Sequence, residues 1–489
     1  MTKSLPARTA YSQPIYIIGA ILISGICWYF SFDLSGDFWY LVWVAPIPVL
    51  FVVLHANGKQ TFFMAFVAYL IGRLSWFPYL IKVATLVPAI IFTLIIPIIF
   101  AVIMLITRRI VLKANAWYGI FAFPVLYTLF EFLMIQFSPD GSAGSIAYTQ
   151  SNFLPVVQIA SVTGLPGISF IITLFPSSTA IAWYYQKERN TFQNIIGGSA
   201  VIIILSLLYG FIRLEKNDKE ETVKAGMVVL EERYHNITQH PDIDKEKVSA
   251  TMYLDQVQSL ARQGATIVVF PERAININKE NEADIIDMFS QSAKQLHIYL
   301  VIAYTNFRTS TAHNSTLVIN NEGKLVVDYT KVHLVKGLEN QFVPGKKTGL
   351  FDLNNSKVGT AICKDLDFPS YIKQYGKSNC GILFIPAWDF KTDDWAHSRM
   401  AIMRGVENGF SEVRTARQGR LTISDGYGRV TAEASSAKGN AIVLIGDVGI
   451  KRLETFYTQM GDWFGIIICI TAGCFIFFLL IKKNKEKVN

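Results

Sequence analysis

Three residues far apart in the chain stand where an α/β protein places its chemistry. Glu272 follows the apolar run Thr266–Phe270, Lys331 follows Lys324–Tyr329, and Cys363 follows Lys357–Ile362. Reactive groups in α/β sheets gather where strands end. A thiol attacks carbonyl carbon only as the thiolate, and a free cysteine is mostly protonated at neutral pH. A carboxylate at Glu272 can take that proton as general base. A buried ammonium at Lys331 can hold the thiolate and then the tetrahedral oxyanion. Base, nucleophile and positive charge together make a kit for covalent acyl transfer. Each residue alone says little: a strand cysteine is usually a small core hydrophobe, an acid after proline favours a helix start, and a lone lysine is usually solvated. The ordered combination carries the weight.

The elements that must position these groups are legible from hydrophobic patterning. Strands are expected at 223–230, 265–270, 298–304, 314–319, 324–329, 357–363 and 381–387, then at 412–417, 420–424, 428–434 and 440–446. Helices are expected at 249–262, 284–296 and 395–408, the last ended by Gly409. Asn320–Gly323 reads as a hairpin turn. Strands alternating with helices imply an α/β layered domain, and the late hairpins imply a mixed sheet. Arg404 and Glu407 fall three apart on the last helix and can form a structural pair.

The rest of the chain has a different composition. Of 489 residues 51% are hydrophobic, and the mean hydropathy is +0.33. Apolar stretches of membrane-spanning length fall at 15–32, 38–56, 61–83, 84–107, 114–136, 156–184, 194–213 and 460–481, with the break between the third and fourth placed by Lys82 and Pro88. The expected organisation is a membrane domain of seven spans over 1–213, a catalytic domain over 214–455, and a last span with a basic tail over 456–489. The net charge of +8 reads as membrane orientation rather than nucleic-acid binding. Lys3, Arg8, Lys59, Arg108, Arg109, Lys113, Lys187, Arg189, Lys482, Lys483, Lys485 and Lys487 fall on one side, and Lys82 is the exception. Both termini are then cytoplasmic and the catalytic domain external. Trp28, Trp39, Trp43, Trp76, Trp117, Trp183 and Trp463 lie in or beside the spans as interfacial anchors. Arg73 and Glu131 are ionisable residues inside spans, readable as a structural pair or as a polar wall for a lipid headgroup.

The motifs Phe270–Pro271–Glu272, Tyr329-Thr-Lys331-Val-His333-Leu334 and Ala361-Ile-Cys363-Lys364-Asp365 resemble the nitrilase, or carbon–nitrogen hydrolase, superfamily. The resemblance implies an αββα sandwich, a Glu–Lys–Cys triad and, in Glu339, a second active-site glutamate. The membrane layout resembles the apolipoprotein N-acyltransferase family. So does the stretch holding Glu131, Gly144-Ser-Ile-Ala-Tyr148-Thr-Gln150, Gln158 to Gly164, and Gly167-Ile-Ser169-Phe170. That resemblance implies a multi-pass protein of the bacterial inner membrane. It also implies a Cys363 thioester, a phospholipid acyl donor and, as acceptor, the α-amino group of a lipoprotein's lipidated N-terminal cysteine.

This chain departs from the pattern around the expected pocket. Lys364–Asp365 replaces an aromatic and a glutamate, and Lys364 should lower the thiol pKa. Pro386-Ala-Trp388-Asp389 replaces Asn-Asp-Ala-Trp, and Ala416-Arg417-Gln418-Gly419 replaces an Asn-Asn-Gly-like segment. Trp388, Asp389, Phe342, Tyr148 and Gln150 are candidate pocket residues, and Trp388 and Asp389 read equally well as core. Apolar cover for the cleft is expected from Phe342–Val343, Gly349–Leu350–Phe351, Phe368–Pro369 and Phe390. These departures leave open a membrane-bound amidase, an acyltransferase for a different amine, or a lipid- or peptide-binding scaffold. Five cysteines form no disulfide framework and seven histidines no paired metal motif. The chemistry needs no cofactor and no metal. His333 and His397 read as structural. No repeat forces an oligomer, so a monomer is expected.

Overall fold

The computed structural model describes residues 10–216, 221–232 and 242–481. Lys3, Arg8, His235, His240, Lys482, Lys483, Lys485 and Lys487 lie outside them. The chain divides into two compact units. One is Met1–Phe137 with Gly144–Glu215 and Asp462–Asn489; the other is Ser138–Ala143 with Lys216–Gly461.

The first unit is helical. Among the described residues, seven helices are long and apolar enough to cross a bilayer: Pro14–Ser31, Gly58–Ala84, Leu86–Ala114, Trp117–Phe137, Leu165–Tyr184, Arg189–Glu215 and Trp463–Ile481. Apolar side chains such as Ile204, Leu205, Ile470 and Phe477 point outward, as in a multi-pass membrane protein. The expected break near Lys82 and Pro88 falls at Thr85, whose φ is 66°. The expected span 156–184 is interrupted. Short turns at Leu154–Val157 and Ala160–Thr163 end at Gly164, φ 69°, before Leu165–Tyr184 begins.

The stretch expected at 38–56 is not one long helix. It is a 3-10 turn, Trp39–Trp43, and a seven-residue α-helix, Ile47–Val53, because Pro46, just before that helix, and Pro48, in its first turn, offer no backbone donor to continue a helix from the turn. Gln150 accepts from Trp43 Nε1 (2.8 Å) and donates to the Trp39 carbonyl (3.1 Å) at its start. Arg108 Nε donates to the Val53 and Ala56 carbonyls, each at 2.9 Å, at its finish.

Helices Pro14–Ser31 and Gly58–Arg73 approach closely through Gly25 and Gly72. A Cβ on Gly72 would sit 2.4 Å from Trp28 Cβ, and one on Gly25 would sit 2.9 Å from Ile71 Cδ1. Small residues at such crossings let apolar helices pack through dispersion contacts. Gly72→Val is expected to cost about 1–3 kcal/mol by overpacking, read as a lower apparent melting temperature in detergent; an unchanged melt would show that the crossing is loose.

The second unit is two β-sheets face to face. The first holds β1 (Thr222–Val229), β2 (Ile267–Val269), β3 (Ile275–Asn278), β4 (Tyr299–Phe307), β5 (His313–Ile319), β6 (Leu325–Thr330) and β13 (Ile442–Gly449). Their order is β13-β1-β2-β4-β5-β6, with β3 also paired to β4. The second holds β7 (Gly349–Leu353), β8 (Ser356–Thr360), β9 (Ile382–Trp388), β10 (Ser411–Arg417), β11 (Arg420–Ser424) and β12 (Val430–Ser435), in the order β12-β11-β10-β9-β8-β7. Both sheets are mixed, parallel at β1–β2–β4 and β8–β9–β10 and antiparallel at their edges.

Alternation along the strands splits the core into layers. Val223, Ala225, Met227, Val301, Phe351, Phe384 and Val413 fill the space between the sheets. Val228, Leu300 and Ile302 face outward onto the helices Ile243–Arg262 and Glu282–Leu296. Leu383 and Ile385 face the helices Pro369–Lys377 and Asp394–Asn408. This is the αββα order. Gly349–Leu350–Phe351, expected as cleft cover, is instead edge strand β7, and Phe351 is buried between the sheets.

Candidate active site

Glu272 is set by the turn that leaves β2. The Phe270 amide still donates to Val301 of β4 (2.9 Å), and the Glu272 amide donates to the Ala387 carbonyl of β9 (3.3 Å). Glu272 is thereby held against both sheets. Lys331 follows β6 directly. Its amide donates to the Asn314 carbonyl (2.8 Å), and its carbonyl accepts from Gly345 (2.8 Å). Both side chains are buried, and Lys331 Nζ lies 2.7 Å from Glu272 Oε1 and 2.9 Å from Glu339 Oε2. Asn314 completes the cluster: its Nδ2 donates to Glu272 Oε1 (2.6 Å) and to Glu339 Oε1 (2.7 Å). The Val335 amide fixes Glu339 Oε2 at 2.8 Å. Burial works against the Lys331 charge, but Glu272 and Glu339 hold its ammonium well above the usual lysine range. Burial would raise the Glu339 carboxyl, and Lys331 overrides it to hold it low.

Cys363 begins a 3-10 turn, Cys363–Asp367, three residues past the end of β8. Its φ is 43°, a left-handed conformation that a non-glycine residue keeps only where its surroundings over-determine it. The Sγ lies 3.8 Å from the Trp388 carbonyl. Burial pushes the thiol pKa well up and the Glu272 carboxylate adds to this; Lys331 pulls the other way. The resting group is therefore a thiol.

The expectation that Lys364 lowers the thiol pKa is overturned. Lys364 Nζ pairs with Asp140 (2.9 Å) and Asp367 (3.4 Å), so its charge is neutralised locally. Asp365 is a brace. Fully buried, it accepts from Tyr329 Oη (2.6 Å) and from the amides of Val332 (3.1 Å), His333 (2.8 Å) and Ile362 (2.9 Å). It thus ties the Lys331 segment to the Cys363 turn. His333 Nδ1 lies 3.2 Å from Asp365, and its ring stacks on Phe368. Asp389 is buried in a two-point pair with Arg414 at 2.9 and 2.6 Å. His397 lies 3.0 Å from Asp393 and 3.5 Å from Asp389. Burial pulls the His397 pKa down, and the two carboxylates hold it up at about 9.

Trp388 and Phe342 lie beside this cluster under Arg273, whose guanidinium is 5.3 Å and 4.7 Å from the two ring centres. Phe342 is buried, Val343 is exposed and Phe390 is half-buried. Tyr148 and Gln150 belong to the helical unit. Gln150 spends its amide on Trp39 and Trp43, as described above. The expected ion pair of Arg73 with Glu131 does not form. Glu131 accepts from Ser145 (2.9 Å), from the Ile146 amide (2.7 Å) and from Ser169, while Arg73 lies over Phe32 and Trp76. Arg404 and Glu407 do pair, at 3.0 Å.

A carbon-nitrogen hydrolase family model matches residues 215–455, which carry the whole cluster from Glu272 to Arg417. The model described as the apolipoprotein N-acyltransferase N-terminal domain matches residues 24–177 of the helical part. The chain belongs to the apolipoprotein N-acyltransferase family. Relatives in that family include the apolipoprotein N-acyltransferase of Geobacter metallireducens, 23% identical with 95% of each chain covered. That of Aquifex aeolicus is 23% identical over 79% of this chain and 89% of its own. Among solved structures, an amidase from Nesterenkonia sp. aligns with a TM-score of 0.41 and 15% identity, over 49% of this chain and 92% of that one. Asn314, Arg273 and Arg414 were not legible in the sequence as parts of this cluster. A polar residue heading the apolar strand 314–319 was the available signal for Asn314.

A raised thiol pKa slows uncatalysed alkylation. At pH 7.5 Cys363 is expected to react with iodoacetamide at least about tenfold more slowly than free cysteine, since each pKa unit is tenfold in thiolate. The rate should still be rising at pH 9; a plateau below pH 8 would contradict the geometry. Glu339 gives a second test. Its carboxyl is held low in the fold, so its contribution is present above the ordinary value of 4.5 and lost as pH falls through the folded value. The wild-type melting temperature should therefore fall more steeply with acidification below that value than that of Glu339→Gln, and parallel curves would remove Glu339 from the account.

Proposed function

We propose that this protein moves a fatty acyl chain from a membrane phospholipid to the α-amino group of a lipoprotein's lipidated N-terminal cysteine, through a thioester on Cys363. The observation that carries the reading is one buried ammonium shared by Glu272 and Glu339 beside a half-buried thiol, in a chain that has, among its described residues, seven helices long and apolar enough to span a membrane. In the first half-reaction Glu272 takes the Cys363 proton as sulfur attacks the ester carbonyl carbon. The Lys331 ammonium faces the oxyanion that forms. Collapse breaks the carbon–oxygen bond, and Glu272 returns the proton to the departing glycerol oxygen. In the second half Glu272 takes a proton from the incoming amine, nitrogen attacks the thioester carbon, and Cys363 leaves and is reprotonated. Glu339 and Asn314 position Lys331 and Glu272 and touch neither substrate. This is ping-pong transfer, and both substrates are held by the same bilayer.

The reading places the protein in a bacterial inner membrane as a monomer, with both termini cytoplasmic and the α/β unit external. The Lys and Arg distribution supports that orientation. So does the short 39–53 element, which starts beside Gln150 and whose last turn, a few residues before Lys59 in sequence, meets Arg108.

Intact mass of the protein purified in lipid tests the donor step. Wild type is expected to carry an adduct of fatty-acyl mass that neutral hydroxylamine removes and that Cys363→Ala lacks. A wild type that never gains acyl mass in phospholipid would sink the donor assignment and shift weight to amide hydrolysis.

A further inference from the structure

Arg273 and Arg417 are unusual cations. Both are more than nine-tenths buried, at 8% and 1% exposure, and both lie over one indole. The Arg417 guanidinium carbon is 3.7 Å from the Trp388 ring centre and that of Arg273 is 5.3 Å away. The Trp388 carbonyl in turn accepts from the Cys363 thiol. Their donors are not used up. Arg417 Nη2 reaches Glu232 at 2.7 Å, yet its Nε and Nη1, and Nε of Arg273, are buried without a hydrogen-bond acceptor. Arg273 has no ion pair among the described residues, and its φ of 55° holds it in the left-handed region immediately after Glu272. Nearby carboxylates are committed elsewhere: Glu272 and Glu339 to Lys331 and Asn314, and Asp389 to Arg414. Buried guanidinium donors without acceptors are costly, and two like charges on one ring repel. An anion from outside the chain offsets both.

We propose that Arg273 and Arg417, gathered on Trp388, bind the phosphodiester of the acyl donor. A phosphate oxygen pair matches the planar fork of a guanidinium. In a glycerophospholipid the phosphodiester is separated from the reacting ester by the glycerol backbone alone, so an anion held beside Trp388 brings that ester toward Cys363. The acceptor amine enters carrying positive charge or a lone pair and has no use for two guanidiniums. The site therefore selects the donor for the first half-reaction. Arg417 stands where the family resemblance has an asparagine-rich segment, so this recognition is a property of this chain's own departures.

The inference rests on the phospholipid-donor reading, and the test separates the two. Full-length protein in neutral detergent is alkylated at Cys363, and the modified peptide is quantified by mass. The probes are a short di-O-hexyl ether glycerophosphoglycerol, which cannot give up an acyl chain, the same diether without phosphate, and inorganic phosphate. The phosphodiester is expected to protect Cys363 at a concentration about tenfold or more below that of the phosphate-free diether. In Arg273→Gln and Arg417→Gln that preference should shrink to about twofold, and Arg273→Lys should restore part of it. Wild type without the preference, or a preference that survives both glutamine variants, overturns the proposal. Equal protection by inorganic phosphate overturns the assignment to a lipid and makes this a free-phosphate site. If the preference holds while ester-linked phospholipid never acylates Cys363, the anion site stands and the transfer reaction falls.

Discussion

Lys331 Nζ is buried between two carboxylates and is the charge around which the α/β unit is arranged. A lone ammonium in that position would cost several kcal/mol in lost hydration, so the fold must deliver Glu272 and Glu339 to it together. They come from different places: Glu272 from the end of β2, Glu339 from the loop after Lys331 itself. Asn314 bridges the two carboxylates from β5. Removing any member would strand the others, because Lys331 Nζ and Asn314 Nδ2 each bond both Glu272 and Glu339. In the proposed transfer the same interlock leaves the proton on Cys363 until a carbonyl arrives. Glu272 is already satisfied by Lys331 and Asn314, and the thiol next to it is pushed upward rather than ionised.

The second constraint is backbone placement. Cys363 does not extend a strand but opens a tight turn at positive φ, and Asp365 staples that turn to the segment carrying Lys331 through the Ile362, Val332 and His333 amides. Lys364, despite its position beside the nucleophile, looks away to Asp140 and Asp367. Adjacency in sequence thus says little about which charges a reactive atom feels. Strain at the turn and the hydrogen bonds of Asp365 decide it.

Much of this was readable before the structure. The strands that carry Glu272, Lys331 and Cys363 are short apolar runs ended by polar residues, and hydrophobic periodicity locates such runs well. The order of the two sheets was not readable, because pairing β1 with β13 and β2 with β4 joins segments distant in sequence. Gly349–Phe351 looked like loop because a five-residue edge strand beginning at glycine has little signal of its own. The 38–56 stretch looked like an ordinary span because composition does not register what Pro46 and Pro48 do to helix length. Arg73 and Glu131 looked like partners because charges in apolar segments usually pair. Serine hydroxyls and one amide satisfy Glu131, and aromatic faces hold Arg73, neither of which leaves a trace in spacing. Asn314 and Arg273 were overlooked because their neighbours in space are distant in sequence.

The short segment Ser138–Ala143 belongs with the α/β unit although it is threaded between two apolar helices in sequence. Asp140 supplies Lys364 with a carboxylate, the Ser142 amide and hydroxyl both bond the Asp367 carbonyl (2.7 and 2.8 Å), and a side chain on Gly141 would strike that same oxygen. The reactive half is consequently discontinuous and cannot be excised as a cassette. A polypeptide cut at Lys216 would leave the Cys363 turn without its outer lining. The stretch that joins two apolar helices is thereby part of the unit that carries Cys363.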